Sequence, residues 1–154
     1  MSHFATTLLI AAFGVCGCTL LALDPAECDS STQCRAAFGL GSVCGEDGSC
    51  SAPATHPRCT RSWPEDLVTR PEAYADHIVI GSLYGYLDHA DTQRASELAI
   101  RQVEDQGGLE GRHFAMLHCD TTAMAGDGLG DVDGTAAAAQ FLARTIGVPA
   151  IVGP

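Results

Sequence analysis

Cysteine is the residue type in this chain whose number and spacing could do chemistry. Of eight cysteines in 154 residues, Cys28, Cys34, Cys44, Cys50 and Cys59 follow the pattern C-x5-C-x9-C-x5-C-x8-C, and Cys119 stands well apart. Clusters of this kind either bind zinc as thiolates or oxidise to disulfides. The paired C-x2-C knuckles usual in structural zinc sites are absent, so disulfides in an oxidising compartment are expected. The first four could form two bridges in three different pairings, which leaves Cys59 to find Cys119 or a partner outside the chain. Other combinations of reactive residues are poorly placed. His118, Cys119 and Asp120 are adjacent, but alternation along a strand sends His118 and Cys119 to opposite faces, which spoils a Cys–His nucleophile pair. Asp127, Asp131 and Asp133 invite a calcium loop, yet an EF-hand starting at Asp127 would put Leu129 and Ala138 at ligand positions. A solvated loop capping a helix is expected there instead, with no metal, no cofactor and no catalytic residue anywhere in the chain.

The elements that must position these residues lie mostly in the second half. His77–Leu83 is a short run rich in Ile and Val, as in a strand buried on both faces of a parallel sheet. From Asp91, Ala95, Leu98, Ala99 and Val103 recur at helical spacing and define the expected buried face, with Gly107 and Gly108 ending the helix. His113–Cys119 reads as a second strand, joined to the first by a right-handed crossover. A Gly- and Asp-rich loop, DTTAMAGDGLGDVD, leads to a helix over Thr135–Thr145, with Asp133 as N-cap and Ala138, Phe141 and Leu142 on its buried side. Gly147 ends that helix, and Val148–Val152 is expected as a third buried strand. The fold class is therefore α/β, the start of a doubly wound parallel sheet in the order β-α-β-α-β.

Charge and targeting signals narrow the setting. The net charge is −11, and every one of the eight basic residues is Arg. Without a basic patch there is nothing to displace phosphate counterions, so nucleic acid is excluded as a partner. Attachment to an anionic membrane would need a lipid or a span. Ala5–Val15 is too short to span a bilayer but suits the core of a signal peptide. Val15-Cys16-Gly17-Cys18 resembles the bacterial lipobox, which makes Cys18 the expected lipid anchor and residues 1–18 a lipoprotein-type signal. Residues 19–76 then form a cysteine-rich tether that looks like the short cysteine-rich segments found behind some bacterial lipoprotein signals. Pro53, Pro57, Pro64 and Pro71 mark its second part as an extended spacer.

Several motifs in order resemble the amino-terminal lobe of type I periplasmic binding proteins, and in particular the leucine/isoleucine/valine receptor family of ABC transporters. They are the strand end Ile80-Gly81-Ser82-Leu83 with Gly85 beyond it, the Leu98–Gly108 helix leading into GGLEGR, Asp120 after the second strand, and Ala150-Ile151-Val152-Gly153-Pro154. The resemblance covers residues 77–154. It implies two doubly wound lobes joined by a hinge, with a small solute such as an amino acid bound between them. Of these, the chain holds an incomplete first lobe and reads as an amino-terminal fragment. The main pocket residues of the family are expected beyond Pro154. In family members the loop after the first strand helps wall the pocket, which puts Tyr84, Gly85, Tyr86 and Leu87 forward as ligand contacts.

Three functions are weighed on this basis. The first is a lipid-anchored solute-binding protein of the cell envelope, facing the periplasm or exterior, that would serve an ABC transporter permease or a sensor. The second is a nucleotide-dependent enzyme. Gly81-Ser82-Leu83-Tyr84-Gly85-Tyr86 is neither G-x-G-x-x-G nor a phosphate-binding P-loop, so an enzyme is not expected. The third is a cysteine-rich interaction lipoprotein that binds no solute.

Overall fold

The computed structural model describes residues 28–122 and 126–153. The expected signal and Cys18 lie outside the described residues. Four strands form one mixed sheet in the order β1-β3-β2-β4, and the class is α/β. Its centre is the expected parallel pair, β2 (Ile78–Leu83) and β3 (Phe114–Cys119), in register from Ile78 opposite Phe114 to Leu83 opposite Cys119. The connection between them runs through helix α2 (Ala90–Glu104).

Both outer strands differ from expectation. β1 (Arg61–Trp63) lies in the segment read as a spacer and pairs antiparallel with β3, Ser62 opposite Leu117. The third parallel strand is not a buried run over Val148–Val152. Only β4 (Ile151–Val152) pairs with β2, and both residues are 38% exposed. The residues before it belong to the preceding helix end: Gly147 is left-handed, and the N–H groups of Gly147 and Val148 both donate to Leu142 O. Pro149 has no N–H to offer a ladder.

One face of the sheet carries the core. Val79, Ala115, Leu117 and Cys119 meet Leu40, Cys59, Leu67, Ala138, Leu142 and Ile146. Helix α3 (Asp131–Gln140) starts four residues before the expected Thr135, with Gly130 rather than Asp133 at its N-cap. Asp131 and Asp133 instead sit in the first turn, where negative charge complements the helix dipole. The helix continues as a widened π turn over Phe141–Ile146. The predicted buried side holds: Ala138 and Leu142 are fully enclosed and Phe141 packs at the margin. Gly81 admits this helix, since a Cβ there would lie 2.8 Å from Leu142 Cδ1.

The other face is mixed, with Ile78, Ile80, Phe114 and Met116 at one end and Ser82 and His118 at the other, and α2 turns to match it. The expected buried stripe faces outward: Leu98 is 55% exposed, and Ala95, Ala99 and Val103 are exposed as well. Gln93 is buried instead. The sheet presents Ser82 and His118 on this side, and a helix covering them must bring polar partners. Glu97 Oε1 lies 3.2 Å from His118 Nε2, and Glu104 accepts from the Phe114 N–H at 2.7 Å.

The Pro-containing part read as an extended spacer is folded against the domain, carrying β1 and a short turn at Pro71–Tyr74, and the disulfide-held part before it is folded as well. Helix α1 (Ser31–Phe38) opens on a capping box in which Gln33 Oε1 accepts the Ser30 N–H. Disulfides Cys28–Cys44 and Cys34–Cys50 brace it, and Cys59–Cys119 ties the segment to the end of β3. Arg35 Nη1 donates to Ile146 O at 2.8 Å, placing a cation against the carbonyl end of the α3 region. Three disulfides in so small a chain belong to an oxidising, extracytoplasmic setting. Among the described residues no helix is long and apolar enough to cross a membrane.

Candidate functional site

In an open parallel sheet, ligands gather at the carboxyl ends of the strands, where loops and helix N-termini converge. Here the end of β2 carries the loop 84–89 and the end of β3 leads into residues 120–122, and between them and the start of α3 lies an open groove of about 610 Å³. Gly85, Asp88 and His89 form one wall, and Thr122, Thr135 and Ala136 belong to the other. Asp120, nearly buried, binds the loops together. Its Oδ1 accepts from the Tyr86 N–H at 3.3 Å, the Thr122 N–H at 2.9 Å and the Thr122 hydroxyl at 2.9 Å. Gly85 lets the loops close up, because a Cβ on it would already stand 3.1 Å from Thr122 Cγ2.

The four residues singled out in the first loop take different places. Gly85 lines the groove. Tyr84 is buried, its ring 6.0 Å from that of His89. Tyr86 points its hydroxyl into the framework, 2.7 Å from His118 O and 3.0 Å from Arg58 O, and accepts from the Thr60 N–H at 3.2 Å. With one proton, the phenol donates to one of those carbonyls at a time. Leu87 is 70% exposed and does not line the groove. The pair of tyrosines therefore supports the site from below instead of walling it.

The Gly/Asp-rich loop is organised by a residue that sequence reading missed. Arg58 is completely buried and inserts its guanidinium into the loop. Nε and Nη2 make a forked ion pair with Asp127 at 2.5 and 2.9 Å. Nη1 donates to Thr122 O at 2.9 Å and Nη2 to Leu129 O at 3.0 Å. A carboxylate and a ring of carbonyls around a cation is the arrangement that the calcium reading looked for, with a guanidinium in place of the ion. The Arg58 hydrogen bond holds the Asp127 carboxyl at about 2, against an ordinary 3.8, and the same bond raises Arg58. Gly134 makes room for it: a Cβ there would lie 1.9 Å from Arg58 Cζ. Nothing local marks Arg58 beyond its place next to Cys59.

Ser82, His118 and Glu97 form a line on the face of the sheet that α2 covers. Ser82 Oγ is 2.5 Å from His118 Nδ1, and Glu97 approaches the opposite ring nitrogen off the hydrogen-bond direction. Burial lowers the proton affinity of His118, and Glu97 partly offsets this. Ser82 and His118 have no exposed surface, and with the quarter-exposed Glu97 they brace α2 on the sheet. Cys119 is in a disulfide and offers no thiolate. The sulfurs of Cys28, Cys34 and Cys50 lie within 4.8 Å of one another, but as members of two adjacent disulfides they cannot serve as metal ligands. No protein-family model, no curated protein and no solved structure matches this chain.

Proposed function

We propose that this chain belongs to a lipid-anchored solute-binding protein of the cell envelope, and that a small solute such as an amino acid occupies the groove at the ends of β2 and β3. The observation that carries this reading is the groove itself, 610 Å³ of open space at the strand ends, with hydroxyls on one side and Asp88 on the other. An acidic wall in a protein of net charge −11 favours the ammonium end of such a solute. The groove is open on one side, which suits closure by the second lobe that the resemblance implies. A lipid on Cys18 would hold the protein at the membrane, where an ABC transporter permease or a sensor could receive the solute. The cysteine-rich segment commits Leu40, Arg58 and Cys59 to the sheet, which supports a bracing role for it over an interaction role.

Calorimetric titration of the mature protein from its own cells with a panel of amino acids and amides tests the reading. A saturable heat for one solute class is expected, and Ala136→Trp, which fills the groove from an exposed helix position, should abolish it with the melting temperature unchanged. A folded protein that gives no saturable heat with any member of the panel would remove the solute-binding reading. Mass spectrometry of the same preparation should find a lipid-modified Cys18 at the mature terminus.

A further inference from the structure

The packed face of the sheet is not filled. Val79 and Leu117 on the sheet, Leu67 beside them, and Phe141 and Ile146 of the π turn surround a cavity of about 250 Å³, roofed by residues 53–56 of the cysteine-rich segment. Protein cores hold few voids larger than a water molecule, and an apolar hollow of about 150 Å³ already admits a benzene ring. Walls of this kind give water too few partners to hold it. The way in lies beside Ala54 and Thr55, both exposed, and the half-buried Val68.

Two side chains with a usable donor belong to the walls, Thr55 and His56; Thr55 is exposed at the mouth, and His56 is the half-buried one. His56 Nδ1 accepts the Arg58 backbone N–H at 3.2 Å, which puts the proton of the neutral ring on Nε2. Burial is the main reason that His56 binds a proton less readily than usual, so the neutral ring prevails at pH 7. Its ring lies 5.2 Å from that of Phe141. Among the described residues Nε2 has no hydrogen-bond partner, and it remains available to an occupant.

We propose that this cavity is a second binding site, for a one- or two-ring aromatic molecule carrying a single hydrogen-bond acceptor, with the ring against Val79 and Leu117 and the acceptor on His56 Nε2. The volume sets the size, the apolar walls set the ring, and His56 Nε2, the more enclosed of the two donors, sets the acceptor. The cavity shares no lining residue with the groove, so the proposal does not rest on the solute-binding reading.

The test uses the whole, disulfide-intact protein and two probes of similar shape, acetophenone with a carbonyl acceptor and ethylbenzene without one. Both should shift the methyl resonances of Val79, Leu117 and Ile146 saturably. His56→Phe should weaken acetophenone about tenfold, the worth of one hydrogen bond, and leave ethylbenzene unaffected. Val68→Trp and Ala54→Trp, each meant to plug the mouth, should each abolish binding of both probes; a variant counts only where its melting temperature shows that it folds, and Ala54 is exposed enough to tolerate the change. Absence of saturable shifts with either probe, or binding that survives a folded plug variant, overturns the site. Equal weakening of both probes by His56→Phe overturns the acceptor assignment.

Discussion

Replacing a helical glycine by alanine ordinarily stabilises a helix, by up to about 1 kcal/mol. At Gly134 the sign should reverse. The new Cβ would fall 1.9 Å from Arg58 Cζ, and the buried guanidinium has no free direction to move. A loss of about 1–3 kcal/mol is expected from such overpacking. In an Arg58→Ala background the same change should regain its stabilising sign, which thermal unfolding of the four proteins in a double-mutant cycle would show. Arg58→Ala alone leaves Asp127 and several carbonyls without their donor, and should lower the melting temperature by on the order of 10 °C. It should also change the response to acid. Because the folded Asp127 carboxyl lies at about 2, below its ordinary 3.8, its contribution is complete above the higher value and is lost as pH falls through the lower. The stability difference between wild type and Arg58→Ala should therefore narrow between those two values, leaving the part that the carbonyl hydrogen bonds carry. In the sequence the aspartates of this loop read as a solvated helix cap, and the ion pair of Asp127 with Arg58 was not seen. An arginine from 69 positions away leaves no local periodicity to read.

At the scale of elements, α2 shows where pattern and packing part company. Its existence and length followed from spacing and the glycines after it. Its orientation did not, because the apolar stripe competes with the need of buried His118 and Ser82 for polar cover, and burying a polar group without a partner costs more than burying a leucine gains. Leu98→Gln is accordingly expected to change stability by no more than about 0.5 kcal/mol, a value that urea unfolding can resolve against a larger loss for Ile100→Gln on the half-buried side. The same cover makes α2 sensitive to pH. A buried base whose proton affinity is lowered resists protonation when folded but takes a proton near 6.5 when unfolded. Its stabilisation is therefore full above 6.5 and declines as the pH drops below it. His56 acts in the same direction and Glu97 opposes. The urea midpoint should fall between pH 7.5 and pH 5.5, and the fall should be smaller in His118→Gln.

For the whole molecule, the parallel β-α-β centre and the helix that follows were legible because short apolar runs between glycines specify them locally. The position of the cysteine-rich segment was not, since three residues of strand, two arginines, two leucines and one disulfide carry it and none has a period. That segment makes the fold as much as it decorates it. Replacing Cys59 and Cys119 together by alanine opens a loop of 60 residues and should cost about 4 kcal/mol by chain entropy, measurable as a drop in urea midpoint, with loss of the β1–β3 pairing seen as faster amide exchange at Ser62 and Leu117. The connectivity also bears on how the protein is made. Cys28–Cys44 and Cys34–Cys50 interlock, so a chain delivered amino terminus first presents Cys28 together with Cys34 before the proper partner of either has arrived. Oxidation in order of emergence would join neighbours and trap the wrong isomer. Production of this protein should therefore depend on a disulfide isomerase, and an oxidant alone should yield scrambled material.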